Sequence, residues 1–131
     1  MATKNENTLP NCGVVAVANA TGTAVTEMMD SFRNCFGFSK RWQGRTTVPQ
    51  ISRMLKLWGT PNSVKRISGY SLERWVQWET VKGRAYIVRT GNHMQYVKDG
   101  VVSDQHMTAP ISDFHWKRKF VTHVIEIKGA A

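Results

Sequence analysis

The spacing of apolar residues is helical as far as Trp78 and becomes that of strands from Gly83 onward. The first apolar block, residues 11–22 (NCGVVAVANATG), follows Pro10, which pushes Leu9 toward an extended conformation and so sets a helix start near Cys12. Its small Ala16, Ala18 and Ala20 allow close approach to another element, Gly13 leaves the approach to the Cys12 sulfur open, and Gly22 ends it. Thr23 then caps a second helix, in which Val25, Met28, Met29 and Phe32 recur at helical spacing. A third helix opens on a capping box of Thr47 and Gln50, carries a stripe of Ile51, Met54, Leu55 and Trp58, and stops at Gly59 and Pro61. Residues 63–68 read as a short strand, and Ser71 caps a fourth helix through Leu72, Trp75 and Val76.

The remainder predicts a sheet. Residues 85–88 are a β run that Gly91 and Asn92 break, and residues 93–98, the Asp99-Gly100 turn and residues 101–104 have the pattern of a tight hairpin. After a loop over residues 105–113, residues 120–127 form a last strand in which Val121, His123, Ile125 and Ile127 alternate with Thr122, Val124, Glu126 and Lys128. Helices followed by antiparallel strands predict an α+β fold, with N-terminal helices packed on a C-terminal antiparallel sheet. No linker or repeat divides the chain, so residues 1–131 form one domain with residues 1–10 as an extended lead-in.

Composition narrows the class. At 131 residues and 41% apolar content the chain can bury one real core. No apolar run approaches a membrane span, and MATKNENTLP lacks the apolar core of a signal peptide. The expected setting is therefore a cytoplasm, or a virion packaged from one, with no membrane partner. Two cysteines are too few for a disulfide scaffold; Cys35, among Phe32, Phe36 and Phe38, reads as a packed core thiol. The 18 Lys and Arg against 9 Asp and Glu leave a net charge of +9, a surface that attracts polyanions and makes nucleic acid a possible partner.

The candidate chemistry begins at Cys12. Free N–H groups and the positive end of the dipole at a helix start favour a thiolate, so its pKa is expected to fall. The hairpin supplies its partners. With Asp99 and Gly100 as the turn, Lys98 faces Val101, Gln95 faces Asp104 and His93 faces His106. His93 and Asp104 then share a face as diagonal neighbours within side-chain reach. Two readings fit these residues. In one, Cys12 is the nucleophile, His93 takes its proton, Asp104 holds the ring in the useful tautomer, and helix N–H groups steady the oxyanion. In the other, Cys12 is a buried inert thiol, His93 a surface histidine beside a turn, and Asp104 a strand-end carboxylate that accepts backbone N–H bonds.

The segment NCGVVAVANATG resembles the opening of small papain-like cysteine-peptidase-fold proteins of phages and bacteria, whose nucleophile lies on a CGxxAxAxATG-type helix. TTVPQI and then GRAYIVRTGNHMQYVKDGVVSDQ resemble their later segment, and the likeness runs from Asn11 to Gln105 in the expected order. The resemblance implies a papain-like fold, Cys12 as nucleophile, His93 as base and Asp104 as orienting residue. It also implies cofactor-free hydrolysis of a peptide or isopeptide bond in a peptide or protein substrate, and a phage origin. Glu6 stands where that family usually carries a Gln or similar oxyanion donor, and Met94 follows the histidine where a small residue is common. Asn7 and Asn11 are the candidate replacements for the donor.

Two further readings compete. A non-catalytic basic module, either a phage structural or host-interaction protein on the same scaffold or a helix-turn-helix over residues 47–67, would bind DNA through Arg53, Lys65 and Arg66. Leu55 occupies a position that motif keeps small, and Lys65 one it fills with a branched apolar residue. A metal site is the lesser reading, since His93, His106, His115 and His123 contain no close pair at one-face helical spacing and no acidic cluster accompanies them, although His93 and His106 face each other across the predicted hairpin. Trp42 in the basic loop 39–46 and the WKRKF segment, residues 116–120, read as an anchored loop and a basic sheet edge.

Overall fold

Three helices stacked on one face of a sheet and a fourth on the other account for nearly every apolar position named above. The computed structural model describes residues 10–128; the expected lead-in and the oxyanion candidate Asn7 lie outside the described residues. The helices are α1 (Cys12–Thr21), α2 (Val25–Phe36), α3 (Val48–Leu57) and α4 (Leu72–Glu79). The strands are β1 (Asn62–Arg66), β2 (Ala85–Thr90), β3 (His93–Lys98), β4 (Val101–Ser103), β5 (Thr108–Pro110) and β6 (Val121–Ile127). They form a 6-stranded antiparallel sheet in the order β1-β6-β2-β3-β4-β5. The fold is α+β as expected, but the sheet is not wholly C-terminal. β1 comes from between α3 and α4, and the last strand enters between it and β2. β5 interrupts what reads in the sequence as a loop.

Val14, Val17, Phe32 and Met54 of α1 to α3 pack with Ile87, Met94 and Ile125 of the sheet. On the opposite face Leu72 and Trp75 of α4 join Val88, Val97, Val124 and Phe114. The register of β6 on β2 shifts at Arg89/Thr90, where Arg89 faces His123 and Thr90 faces Val121. This bulge breaks the strict alternation expected of the last strand: Val121 turns to the α4 face with Val124, while Ile125 and Ile127 face α1 to α3.

Local signals mostly held. Both halves of the Thr47/Gln50 capping box are present, and the Ser71 side chain accepts the Arg74 N–H. Thr23 does not cap α2: the N-cap is Ala24, without a side-chain bond. The Thr23 N–H instead donates to the Ala18 carbonyl and its hydroxyl accepts from Thr21, which ties it into the end of α1. Cys35 is exposed, not core, because the last turn of α2 is closed by Phe36, Phe38 and Trp42 packed on one another beside it. Trp42 is anchored as expected, its indole N–H donating to the Arg45 carbonyl.

Two glycines set how closely the 44–46 loop approaches α1. Gly13 is buried, and a Cβ there would meet Thr46 and, at 2.8 Å, Ile51, so its role is close packing, not access to the sulfur. Gly44 has φ +110°, and a Cβ on it would run into Asn11, 2.9 Å from that residue's Cα. Backbone cannot move aside as a side chain can. Gly44→Ala is expected to cost about 2–3 kcal/mol in urea unfolding, from the left-handed strain and the overpacking together.

Candidate active site

Helix α1 is buried along its length from Gly13 to Ala18, a central helix with no solvent face there, and it presents Cys12 at its first turn against the start of β3. β4 stops at Ser103, opposite Tyr96, so the Met94 N–H has no partner in β4. The Cys12 Sγ takes that position, accepting from the Met94 N–H at 3.3 Å and lying 4.0 Å from the Asn92 carbonyl. Burial pushes the thiol pKa up; the N–H groups of Met94, Gly13 and Cys12 itself pull it down, and the Asp104 charge adds to the rise. The net direction is upward, which corrects the fall expected from the helix start. The N–H groups act in the expected sense, but loss of water outweighs them.

The hairpin has its predicted register, with Lys98 facing Val101, Val97 facing Val102 and Tyr96 facing Ser103 across a turn with φ 52° at Asp99 and 78° at Gly100. Past Ser103 the chain leaves β3 and turns on itself through the Asp104 side chain. Its Oδ1 accepts the His106 and Met107 N–H groups at 2.8 and 2.9 Å. Its Oδ2 meets the Nε2 of His93 at 2.8 Å and the Nε2 of His115 at 2.7 Å. An ionised carboxylate only accepts, so both imidazoles carry their proton on Nε2 and donate it here. Burial alone would raise the carboxyl pKa, but these four hydrogen bonds outweigh it and hold the group well below the usual carboxylate range.

His93 and Asp104 are brought together as expected, but not by the expected ladder: the pairs Gln95–Asp104 and His93–His106 do not form, and Asp104 reaches His93 from the turn beyond β4. Cys12 and His93 meet less directly. His93 shares its side of β3 with Gln95 and Val97, on the α4 face, whereas Met94 faces α1. The thiol and the imidazole therefore reach the rim of the sheet from opposite faces. Among the described residues the thiol's hydrogen bonds are to backbone at Asn92 and Met94, with none to the His93 ring.

Sequence spacing gave no sign of His115 or Trp116, which come from the loop after a short 3-10 turn, Ile111–Asp113. The Trp116 ring stands perpendicular to His93 at 4.3 Å and stacks on His115 at 4.4 Å. The His106 ring lies 6.4 Å from His93 and 5.9 Å from His115. Helical spacing offers no metal-ligand set, yet a nitrogen of His93, a nitrogen of His115 and a carboxylate oxygen of Asp104 lie within 4.8 Å of one another. Residues on separate segments converge through tertiary packing, which helical spacing cannot register. A depression of about 280 Å³, lined by His115 to Lys119, opens beside them.

Asn11, the oxyanion candidate among the described residues, is buried at the N-cap of α1 and makes no side-chain capping bond. Its Oδ1 has no hydrogen-bond partner among the described residues. The helix-turn-helix alternative fails at its second helix, because residues 62–66 are strand β1. Nor do its bases form one surface: Arg53 lines a groove with Val64, whereas Lys65 lines another with Trp75 and Glu79. Strand alternation places neighbours Val64 and Lys65 on opposite faces. No helix among the described residues is long and apolar enough to cross a membrane. Compared with protein-family models and with curated proteins, the sequence matches none.

Proposed function

We propose that this protein is a thiol-dependent acyl-transfer enzyme of papain-like type, most simply a peptidase or isopeptidase encoded by a phage. The observation that carries the reading is the strand start 92–94. It holds the Cys12 sulfur through the Met94 N–H and, one residue away, carries an imidazole whose Nε2 is tied to a buried carboxylate. With Nε2 occupied, Nδ1 is the nitrogen of His93 left to exchange a proton with the thiol. The resemblance of the 11–22 and 83–105 segments to papain-like phage and bacterial proteins supports the same assignment.

In the reaction, His93 Nδ1 accepts the Cys12 proton as the sulfur bonds to the substrate carbonyl carbon. The N–H groups at the start of α1, which have no intrahelical partner, face the oxyanion that forms. Collapse of the tetrahedral species breaks the carbonyl–nitrogen bond, and the His93 proton passes to the leaving amine. Water then cleaves the thioester with His93 as base. Asp104 positions the ring and stabilises its charged form.

The direct test is acyl transfer from an aryl thioester to the protein, read by intact mass and peptide mapping, with exposed Cys35 as internal comparator. Cys12 is expected to acylate faster than Cys35, and His93→Ala to remove that advantage. Equal labelling of the two thiols, unmoved by His93→Ala, would overturn the reading.

A further inference from the structure

The proposed chemistry uses one imidazole of the pair on Asp104 and leaves His115 without a task. We propose that His93, Asp104 and His115 form a binding site for one divalent first-row transition-metal ion. Both ring nitrogens already converge on the same carboxylate oxygen, at 2.8 and 2.7 Å. For metal–ligand bonds of about 2.0–2.2 Å these separations subtend about 75–90°, close to adjacent positions of an octahedron.

The ligands are held before any ion arrives. Oδ1 of Asp104 is fixed by the His106 and Met107 N–H groups, which leaves Oδ2 directed at the imidazoles. Trp116 packs against both rings and limits their rotation. Supports of this kind are what orient the ligands of metal sites. The Asp104 side chain is 0% exposed and that of His115 31% exposed, so an ion enters past His115 and keeps its remaining positions for water. Two imidazoles and one carboxylate favour cobalt, nickel, zinc or ferrous iron over magnesium and calcium.

On binding, the Nε2 protons of His93 and His115 relocate to Nδ1 by exchange with water, and each ring ligates as the neutral tautomer. This has a consequence that rests on the thiol reading above. His93 then carries a proton on the nitrogen that has to accept one from Cys12, and the ion acts as an inhibitor of acyl transfer.

The test titrates the full chain with Co(II) alone, following its visible d–d absorption, with Zn(II) as competitor. Saturable uptake of one ion per chain is expected, with affinity lowered at least about tenfold by His115→Gln or His93→Gln and unaffected by His106→Gln. Absence of saturable uptake, or uptake indifferent to His115→Gln, would overturn the site. In the unaltered protein, long-range nitrogen–proton NMR of the imidazoles gives a readout free of folding effects. Zn(II) should shift Nε2 of His93 and His115 together, and unshifted signals would sink the proposal. Co(II) binding by Cys12→Ser separates the two readings: uptake there, with no acyl transfer at Cys12 in the native chain, leaves the metal site standing and removes the thiol enzyme.

Discussion

Asp104→Ala is expected to lower stability by about 3–5 kcal/mol, the scale for breaking a buried, charge-assisted network by removing one partner. The side chain is fully buried and accepts from two backbone N–H groups and two imidazoles. Deleting it leaves four donors that alanine cannot satisfy, two of them closing the turn that ends β4. Asp104→Asn is expected to recover part of this loss, since one amide oxygen still accepts while its nitrogen faces donors. Urea unfolding of the three proteins checks the order. The sign of the acid limb also follows. A carboxyl whose folded pKa lies below its unfolded value of about 3.9 contributes fully above that value and loses its contribution as pH falls through the folded one. The stability gap between the native protein and Asp104→Asn should therefore be full at neutral pH and shrink only in strong acid.

His93→Ala is expected to slow acylation of Cys12 by about 10²- to 10⁴-fold at neutral pH, the usual reach of a positioned general base. Because burial raises the thiol pKa, the sulfur rests protonated and depends on a base to become nucleophilic. The deficit should therefore narrow as pH climbs toward the thiol's raised pKa, where thiolate forms without help. A pH series of acylation rates for native protein and variant checks this. A ratio near unity at every pH would mean that the imidazole serves Asp104 and the local fold, not the thiol.

Much of this molecule is written in local pattern. The start of α1 at Cys12, the Thr47/Gln50 box, the Ser71 cap and the Asp99-Gly100 turn each depend on residues within a few positions of one another, and each formed as expected. The hairpin extends this to a long-range fact. A two-residue turn imposes register as far as Tyr96 and Ser103, and that leaves Asp104, one residue beyond the strand, within reach of His93. Where the local pattern misled, a neighbour was responsible. Thr23 was drawn into the end of α1, Cys35 was left outside by its aromatic neighbours, and a bulge reversed Val121.

By itself, then, the sequence determined the α+β class, the starts of α1, α3 and α4, the hairpin register and the pairing of His93 with Asp104. Only the tertiary structure decided the rest: the seat of the Cys12 sulfur on the Met94 N–H, the raised pKa of that thiol, and the arrival of His115 and Trp116 at the same carboxylate. The first set rests on short-range geometry, which a repeating backbone enforces. The second rests on burial and on contacts between distant segments, and neither exists until the sheet has assembled.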